Sequence, residues 1–286
     1  MTGMRDWDRV GKPDSGVVRE FVAARLDDDR LPWSGQAAVM AHFGVSCAES
    51  EDLILEAGVL PARYTRNRQM LTTALQLRLF RSQVVVVGCG GLGGYLIEGL
   101  ARLGVGRLVV VDPDAFVEHN LNRQILATMS NIGSNKAAAA ARRVAEINPA
   151  VRVQAVAAAF DTGSHTLLSG ATAVADALDD VDARLALAGA CRDAGIPLVY
   201  GAIAGWYGYV ATIFPGEDTL QHLYHRHTSR RGIESQLGNP SFTPAVVASL
   251  QVAEICKILI GQGTLLRQRV LTINLLDSEI ETVPIE

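Results

Sequence analysis

Residues 84–94 read VVVVGCGGLGG, and the rest of the chain is best understood from them. Four consecutive valines predict a strand buried on both faces, as in a parallel sheet. Gly88, Gly90 and Gly93 fit the pattern G-x-G-x-x-G, in which a tight turn leads from a strand into a helix and lets the backbone approach phosphate groups. The motif predicts a nucleotide site and leaves open whether the nucleotide is a dinucleotide or ATP.

Composition narrows the classes of protein to consider. The chain has 286 residues, 49% of them hydrophobic, and a formal net charge of −4, which predicts a packed core and no basic face for nucleic acid. The four cysteines form no C-x-x-C pair, which is typical of a reducing compartment. The polar start MTGMRDWDRV has no apolar signal core, and no segment reads as a membrane span. We therefore expect a cytoplasmic protein with no nucleic-acid or membrane partner.

Residues 1–62 differ in pattern from the rest of the chain and predict a small helical N-terminal domain. They contain successive amphipathic helical patterns, with Ser34 and Ser46 as expected N-caps and Gly44 as an expected helix end. A DNA-reading helix-turn-helix is disfavoured, because the helix that would read DNA is acidic and phosphates would repel it.

Residues 63–286 predict an α/β domain with a doubly wound, mainly parallel Rossmann-like sheet and antiparallel additions near the C terminus. Strands and helices alternate from the glycine motif onward, which is typical of parallel sheets that bind ligands at the carboxyl ends of their strands. Ser134 is the expected N-cap of the helix that begins at Lys136. Residues 216–241 are expected to form a polar loop before an apolar helix.

The residues beyond the second strand favour ATP over a dinucleotide. That strand ends in Asp112, where a Rossmann unit places an acid on the ribose. Further polar and charged residues come after it, namely Asp114, Asn120, Arg123, Gln124 and Lys136. Cations beside a glycine turn suit the charge of a triphosphate. An NAD-dependent dehydrogenase would leave these cations without a role.

A third segment, ADALDDVDAR at residues 175–184, predicts a magnesium site. Asp176 ends a strand, and Asp179 and Asp180 lie in the next turn, where carboxylates hold Mg²⁺ together with phosphate oxygens. Arg184 lies on the next helix. A glycine turn, a ribose acid, cations and a metal acid at one sheet edge predict ATP and Mg²⁺ as cofactors.

Eight motifs in a fixed order give the chain a resemblance to the ubiquitin-activating-type adenylyltransferases of the ThiF/MoeB/HesA branch. From residue 63 onward they are RYTRN, GCGGLGG, GVGRLVVVDPD, NLNRQ, GSNK, INP, D-x-x-D-D-x-x-x-R and GNPSFTPAVVASLQVAEICKIL. The resemblance implies a homodimeric enzyme that adenylates the C-terminal Gly-Gly carboxylate of a ubiquitin-like sulfur carrier protein. The acyl-adenylate would serve sulfur transfer in the biosynthesis of a cofactor such as molybdopterin or thiamine.

The resemblance also implies a role for individual residues. Nucleotide binding falls to Gly88, Gly90, Gly91, Gly93, Asp112, Asp114, Asn120, Arg123, Gln124 and Lys136. Among the catalytic residues, Arg123 and Lys136 contact phosphates and Asp179 binds Mg²⁺. Arg66, in the RYTRN motif, is the fourth catalytic residue and reaches the ATP bound by the partner subunit.

The sequence departs from the family pattern in two places. The cysteine pairs that hold a structural zinc in many members are replaced by FPGEDTLQH and QLGNPSF, so we expect no structural zinc. The usual Asn after the metal acid is Asp180 here, which makes it either a second Mg²⁺ ligand or a source of repulsion toward ATP. No cysteine lies in the crossover loop, so we expect no thioester.

Other functions of the same fold stay open at this point. The carboxylate that is adenylated belongs either to a carrier protein, to a short peptide clamped by an added N-terminal domain, or to a modified tRNA adenosine. The acidic charge disfavours tRNA. A non-catalytic relative that only binds a carrier is the remaining alternative.

Overall fold

The computed structural model describes residues 13–161, 163–224 and 237–285. By its contacts the chain divides into two compact units, Met1–Phe80 and Arg81–Glu286. The N-terminal unit thus extends beyond the boundary expected after residue 62. The 3₁₀ turn Ala62–Asn67 contributes to this difference, because Arg63 within it forms an ion pair with the buried Glu51, with 2.6 Å between Nη1 and Oε2.

The described part of the N-terminal unit is mainly helical, as expected. Its elements are α1 (Ser15–Ala23), β1 (Arg30–Leu31), α2 (Trp33–Phe43), α3 (Cys47–Glu56), β2 (Leu60–Pro61) and α4 (Thr73–Arg81), and the two short strands pair in parallel. Ser46 begins α3 with a capping box that includes Glu49. The expectation for Ser34 is wrong: the N-cap of α2 is Pro32, whose extended backbone leads directly into the helix, and Ser34 lies inside it.

The second unit is built on an eight-stranded mixed sheet in the described part of the chain. Its strands are β3 (Gln83–Val87), β4 (Arg107–Val111), β5 (Arg152–Val156), β6 (Ala173–Asp176), β7 (Leu198–Ala204), β8 (Tyr207–Ile213), β9 (Arg269–Asn274) and β10 (Glu279–Pro284). Their order is β10-β9-β8-β7-β6-β3-β4-β5. The pairs from β7 through β5 are parallel, and β7 to β10 pair antiparallel. The predicted fold class is confirmed.

The helices of this unit follow the predicted alternation with two corrections. They are α5 (Gly91–Leu103), α6 (Lys136–Ile147), α7 (Val181–Ala194), α8 (Thr219–Tyr224) and α9 (Phe242–Ile260). The N-cap of α6 is Asn135 in place of Ser134, because the Asn135 side chain accepts the N–H of Ala138. The segment expected to be a polar loop contains α8, and its residues 225–236 lie outside the described residues.

The four valines of β3 form the centre of the sheet and bring the glycine motif to its edge. Val84 to Val87 are at most 1% exposed, and each buried side chain contributes about 1.5–3 kcal/mol relative to an exposed one. β3 lies between β4 and β6, which is where the strand order reverses. Ligands bind at this switch point in doubly wound sheets.

Helix α9 bears on the expectation that no segment reads as a membrane span. Among the described residues it is long and apolar enough to cross a membrane by length and composition, a test that core helices of soluble proteins also pass. Glu254 and Lys257 interrupt its apolar sequence, but they form an ion pair with each other. Glu254 also accepts the N–H of Leu266 at 2.9 Å. The helix packs on α5 and on β6, β7 and β8.

Candidate nucleotide site

The glycine turn joins β3 to α5 and is fixed by close backbone contacts. Gly88 has a φ of 96°, a left-handed conformation that favours glycine, and its N–H donates to the carbonyl of Val111 at 2.8 Å. A Cβ at Gly93 would lie 1.8 Å from the Gly88 oxygen, so only glycine fits. At Gly90 and Gly91 a Cβ first meets protein at 3.5 Å and 3.6 Å. Those are ordinary van der Waals contacts, and both glycines line the cavity described below.

Asp112 directly follows β4 and carries the acid expected to hold a ribose. Its carboxylate oxygens accept the N–H groups of Cys89 at 2.6 Å and Asp114 at 2.9 Å. Burial raises the pKa of Asp112, and these two N–H groups and the Lys136 ammonium partly oppose that effect. Each carboxylate oxygen accepts more than one hydrogen bond. Asp112 is thus able to fix the glycine turn and still accept from a ligand hydroxyl.

Lys136 lies in the first turn of α6 and is almost entirely buried. Its Nζ donates to Oδ2 of Asp114 at 2.9 Å. Asn135 ties the start of α6 to the end of β4, because its Nδ2 donates to the carbonyls of Asp112 at 3.2 Å and Asp114 at 3.1 Å. The ammonium therefore forms an ion pair with Asp114, and the start of α6, where the helix dipole is positive, is fixed beside the end of β4.

Arg123 is presented by a turn in the segment between β4 and α6. The backbone carbonyl of Asn120 accepts the N–H of Arg123 at 3.1 Å, which fixes that turn. The guanidinium Nη1 donates to the carbonyl of His119 at 3.1 Å and to Oδ1 of Asn122 at 2.9 Å. Both acceptors are neutral, so the positive charge of Arg123 remains available to an anion.

Residues 177–180, which we call the Asp179 loop, join β6 to α7. Asp180 is the N-cap of α7, and its Oδ1 accepts the N–H of Ala183 at 2.8 Å. Asp179 is exposed. The two acids therefore have different surroundings: one terminates a helix, and the other is free to meet a ligand.

These groups surround one cavity of about 330 Å³. The residues expected to bind nucleotide or metal that line it are Gly88, Gly90, Gly91, Asp112, Asp114, Arg123, Gln124, Lys136 and Asp179. They come from the glycine turn, the segment after β4, and the Asp179 loop. The structure thus brings together in one unit the three sequence segments from which the site was predicted.

Four other expected site residues are placed differently. Gly93 supports the turn from behind, and Asp180 caps α7. Asn120 is buried, and its Oδ1 accepts the N–H of Val117 at 3.0 Å. Arg66 is exposed in the turn Ala62–Asn67 of the N-terminal unit. Their expected roles toward ATP stay predictions.

The cavity is also lined by residues that were not among the site residues expected from the sequence. Arg184 from α7, Phe160 beyond β5 and Asn239 line it. Two signals were present in the sequence: Phe160 follows the carboxyl end of a parallel strand, and Asn239 belongs to the motif GNPSF. The carbonyl of Asn239 accepts Nδ2 of Asn122 at 3.1 Å, which connects this motif to the turn that carries Arg123.

The cysteines of the second unit do not have the environment of nucleophiles. Cys89 is fully buried, and burial raises its pKa far above the ordinary value. Burial raises the pKa of Cys191 to about 12, and burial also raises the pKa of Cys256. Thiols with raised pKa values are poor nucleophiles at neutral pH, which supports the expectation that no thioester forms.

The lining fits a nucleotide triphosphate with Mg²⁺. Gly90 and Gly91 present backbone without a side chain to the cavity, Arg123 and Lys136 supply positive charge, and Asp179 supplies a hard oxygen ligand. Among the described residues no group of three or more His, Cys, Asp or Glu forms a cage for a metal ion. That is compatible with Mg²⁺, which binds through one or two carboxylates plus substrate phosphates.

Comparison with known proteins gives consistent results over the second unit. The model of the ThiF family matches residues 64–286. The SAMP-activating enzyme E1 of Haloferax volcanii is 38% identical over 212 residues, which cover 73% of this chain and 78% of that protein. The sulfur carrier protein adenylyltransferase of Thermus thermophilus is 34% identical over 232 residues, covering 77% and 86% of the two chains.

Solved structures show the same fold. The structure of E. coli MccB with ATP superposes with a TM-score of 0.66 at 20% sequence identity, covering 83% of this chain and 78% of that chain. At this identity the similarity concerns the fold alone. The mixed sheet and the helices that flank it are therefore an architecture already seen in experimental structures.

Proposed function

Because the chain belongs to the ThiF family, we propose that it adenylates the C-terminal Gly-Gly carboxylate of a ubiquitin-like sulfur carrier protein. The observation that carries the proposal is the convergence of the glycine turn, Asp112, two cations and Asp179 on one cavity. The names of the two relatives agree with it, since one activates SAMP and the other adenylates a sulfur carrier protein.

The chemistry requires charge neutralisation more than proton transfer. A carboxylate oxygen of the carrier attacks the α-phosphorus of ATP, a new P–O bond forms, and the bond to the bridging oxygen breaks with its electron pair leaving on pyrophosphate. The attacking carboxylate is already ionised at neutral pH, so no general base is needed. Arg123 and Lys136 reduce the repulsion between the two anions. Asp179 would hold Mg²⁺, which offsets charge on the leaving pyrophosphate.

Exchange of labelled pyrophosphate into ATP tests the proposal. We expect exchange that depends on a purified ubiquitin-like sulfur carrier ending in Gly-Gly, and none with the same carrier lacking its last glycine. Asp179→Ala should reduce exchange by about 10²–10³-fold, the usual effect of removing a group that stabilises transition-state charge. Asp193→Ala is the matched control, because Asp193 is exposed on α7 and outside the cavity lining. Full exchange in Asp179→Ala would contradict the metal role.

The alternative substrates are separate arms of the same assay. Exchange with a short peptide carboxylate, or with tRNA carrying a carboxylated adenosine, in place of the carrier would overturn the carrier assignment and keep adenylation. The last alternative is a non-catalytic relative that only binds a carrier. Isothermal titration with ATP and Mg²⁺ tests it, because such a relative would show no nucleotide binding.

A further inference from the structure

A buried ionic group, formed by Asp176 and Arg184, adjoins the nucleotide cavity, which Arg184 lines. Asp176, at the end of β6, is fully buried. Its Oδ1 accepts the N–H of Leu178 at 2.9 Å, and its Oδ2 lies 3.7 Å from Nη1 of Arg184. A buried carboxylate is costly unless a cation faces it, so Asp176 and Arg184 depend on each other.

Arg184 also binds the Asp179 loop directly. Its side chain is 3% exposed, and Nη1 donates to the carbonyl of Gly201 on β7 at 2.9 Å. Its Nη2 donates to the carbonyl of Leu178. Leu178 is therefore held twice: its N–H is bound by Asp176 and its carbonyl by Arg184. The next residue in the chain is Asp179.

Two tyrosines complete the surroundings of the guanidinium. The Arg184 guanidinium carbon lies 5.2 Å from the ring centroid of Tyr200 on β7. The hydroxyl of Tyr224, on α8, accepts from Nη1 of Arg184 at 3.5 Å and lies 2.8 Å from the hydroxyl of Tyr200. The guanidinium is therefore oriented by the carbonyl of Gly201, the hydroxyl of Tyr224 and the ring of Tyr200. The hydrogen bonds described here all end on protein atoms.

We propose that Arg184 is a positioning residue that clamps Leu178 and thereby keeps Asp179 at the cavity, with Tyr224 setting the orientation of the guanidinium. Although Arg184 lines the cavity, its donors to Leu178 and Gly201 are engaged by the protein itself. The inference rests on the proposed function only for what Asp179 does there. The clamp itself is a property of the chain without ligand.

The first test is amide hydrogen exchange in the ligand-free protein. In Arg184→Lys, which keeps the charge and loses the two-sided hydrogen bonding, and in Tyr224→Phe, which removes one hydroxyl, we expect exchange in the Asp179 loop to accelerate about tenfold. That factor corresponds to a lost hydrogen bond worth about 1.4 kcal/mol. Tyr209→Phe is the control, because Tyr209 is exposed on β8 and outside the cavity lining.

The second test compares kinetic parameters of the same variants in pyrophosphate exchange. Misplacement of Asp179 should raise the Mg²⁺ concentration needed for half-maximal exchange and leave the KM for the carrier unchanged. Unchanged loop exchange in both variants, or a uniform loss of stability with no change in Mg²⁺ requirement, would overturn the clamp. Failure of the proposed function is distinct, because it would show as absent pyrophosphate exchange in the unaltered protein, while hydrogen exchange would still test the clamp.

Discussion

Among single residues, the glycine turn contains two kinds of glycine that serve different purposes. Gly93 is required by the fold, since a Cβ would lie 1.8 Å from the Gly88 carbonyl oxygen, whereas a Cβ at Gly90 or Gly91 would make only ordinary contacts and both residues line the cavity. The sequence motif treats all of them alike. Only the backbone geometry separates the glycines that shape the turn from those that leave space for a phosphate.

Substitution of Gly93 should therefore be severe. Gly93→Ala forces the turn apart, so we expect loss of ATP binding by titration and a destabilisation of about 1–3 kcal/mol, as for other overpacked sites. Gly189→Ala is the control: Gly189 lies within α7 and a Cβ there meets nothing within 4 Å. That variant should gain about 0.5–1 kcal/mol from helix propensity. Equal stabilities of the two variants would contradict this view of the turn.

The structure gives Asp180 a role as a helix cap that the sequence did not reveal. Because its side chain caps α7 through the N–H of Ala183, Asp180→Ala should lower the free energy of unfolding by about 1 kcal/mol. Asp180→Asn keeps the cap and should keep both stability and pyrophosphate exchange. If both variants lost exchange at unchanged stability, Asp180 would instead act as a metal ligand.

The candidate site was largely predictable because its chemistry is local in sequence. Asp112, Lys136 and Asp179 each lie next to an element end, and parallel strands bring such ends to one edge. Arg184 and Asn239 were harder to place in the cavity, since their positions depend on how α7 and the segment before α9 pack. Asn135 was missed because the adjacent Ser134 is an equally suitable N-cap, and the hydrogen bond from Ala138 selects Asn135. Pro32 was missed because it begins α2 without a side-chain capping hydrogen bond.

Among the elements, α5 and α6 are joined by an ion pair between one carboxylate, Glu98, and Arg143. Burial acts to raise the pKa of Glu98, but hydrogen bonds and charge from Arg143 and Arg102 outweigh it and hold the pKa below its ordinary value. The two nitrogens of Arg143 lie 3.2 Å from the Glu98 oxygens. The stabilisation is therefore present above the ordinary carboxyl pKa of about 4.3 and is lost as pH falls through the lowered value.

We expect Glu98→Gln to be less stable than the natural chain by about 1 kcal/mol at pH 7, and the difference to shrink as pH falls below the ordinary carboxyl pKa. Urea unfolding at several pH values measures it. Glu146→Gln is the matched control, because Glu146 pairs with the same Arg143 at 3.4 Å but is 68% exposed, and its removal should change stability little. A pH-independent difference for Glu98→Gln would show that packing, and not charge, is responsible.

For the whole molecule, the fold class could be predicted from the alternation of buried strands and amphipathic helices. The end of the N-terminal unit could not be predicted from that pattern. Composition changes near residue 62, yet the pairing of Arg63 with Glu51 keeps the next turn in the N-terminal unit. A salt bridge between residues that far apart leaves no periodic signal in sequence. In helix α9, by contrast, Glu254 and Lys257 are three residues apart, so their ion pair is the kind that helical spacing alone predicts.

The homodimer that the family resemblance implies makes the expected role of Arg66 testable by mixing two inactive variants. If Arg66 serves the ATP of the other subunit, Arg66→Ala and Asp179→Ala should each be inactive alone and recover activity when mixed. Random pairing makes half of the dimers mixed, and each mixed dimer has one complete site of two, so about one quarter of full activity is expected. The two variants would carry different tags, so that mixed dimers are isolated and quantified.

The matched control for this experiment combines Lys136→Ala with Asp179→Ala. Both residues line the same cavity of one chain, so every site in a mixed dimer lacks one of them and no activity should return. Recovery in the first mixture and not in the second requires that Arg66 acts across subunits, because subunit exchange is the same in both. Mixed dimers of the first kind that stay inactive would contradict the role of Arg66 in the partner's site, while the cavity within one chain would still account for nucleotide binding.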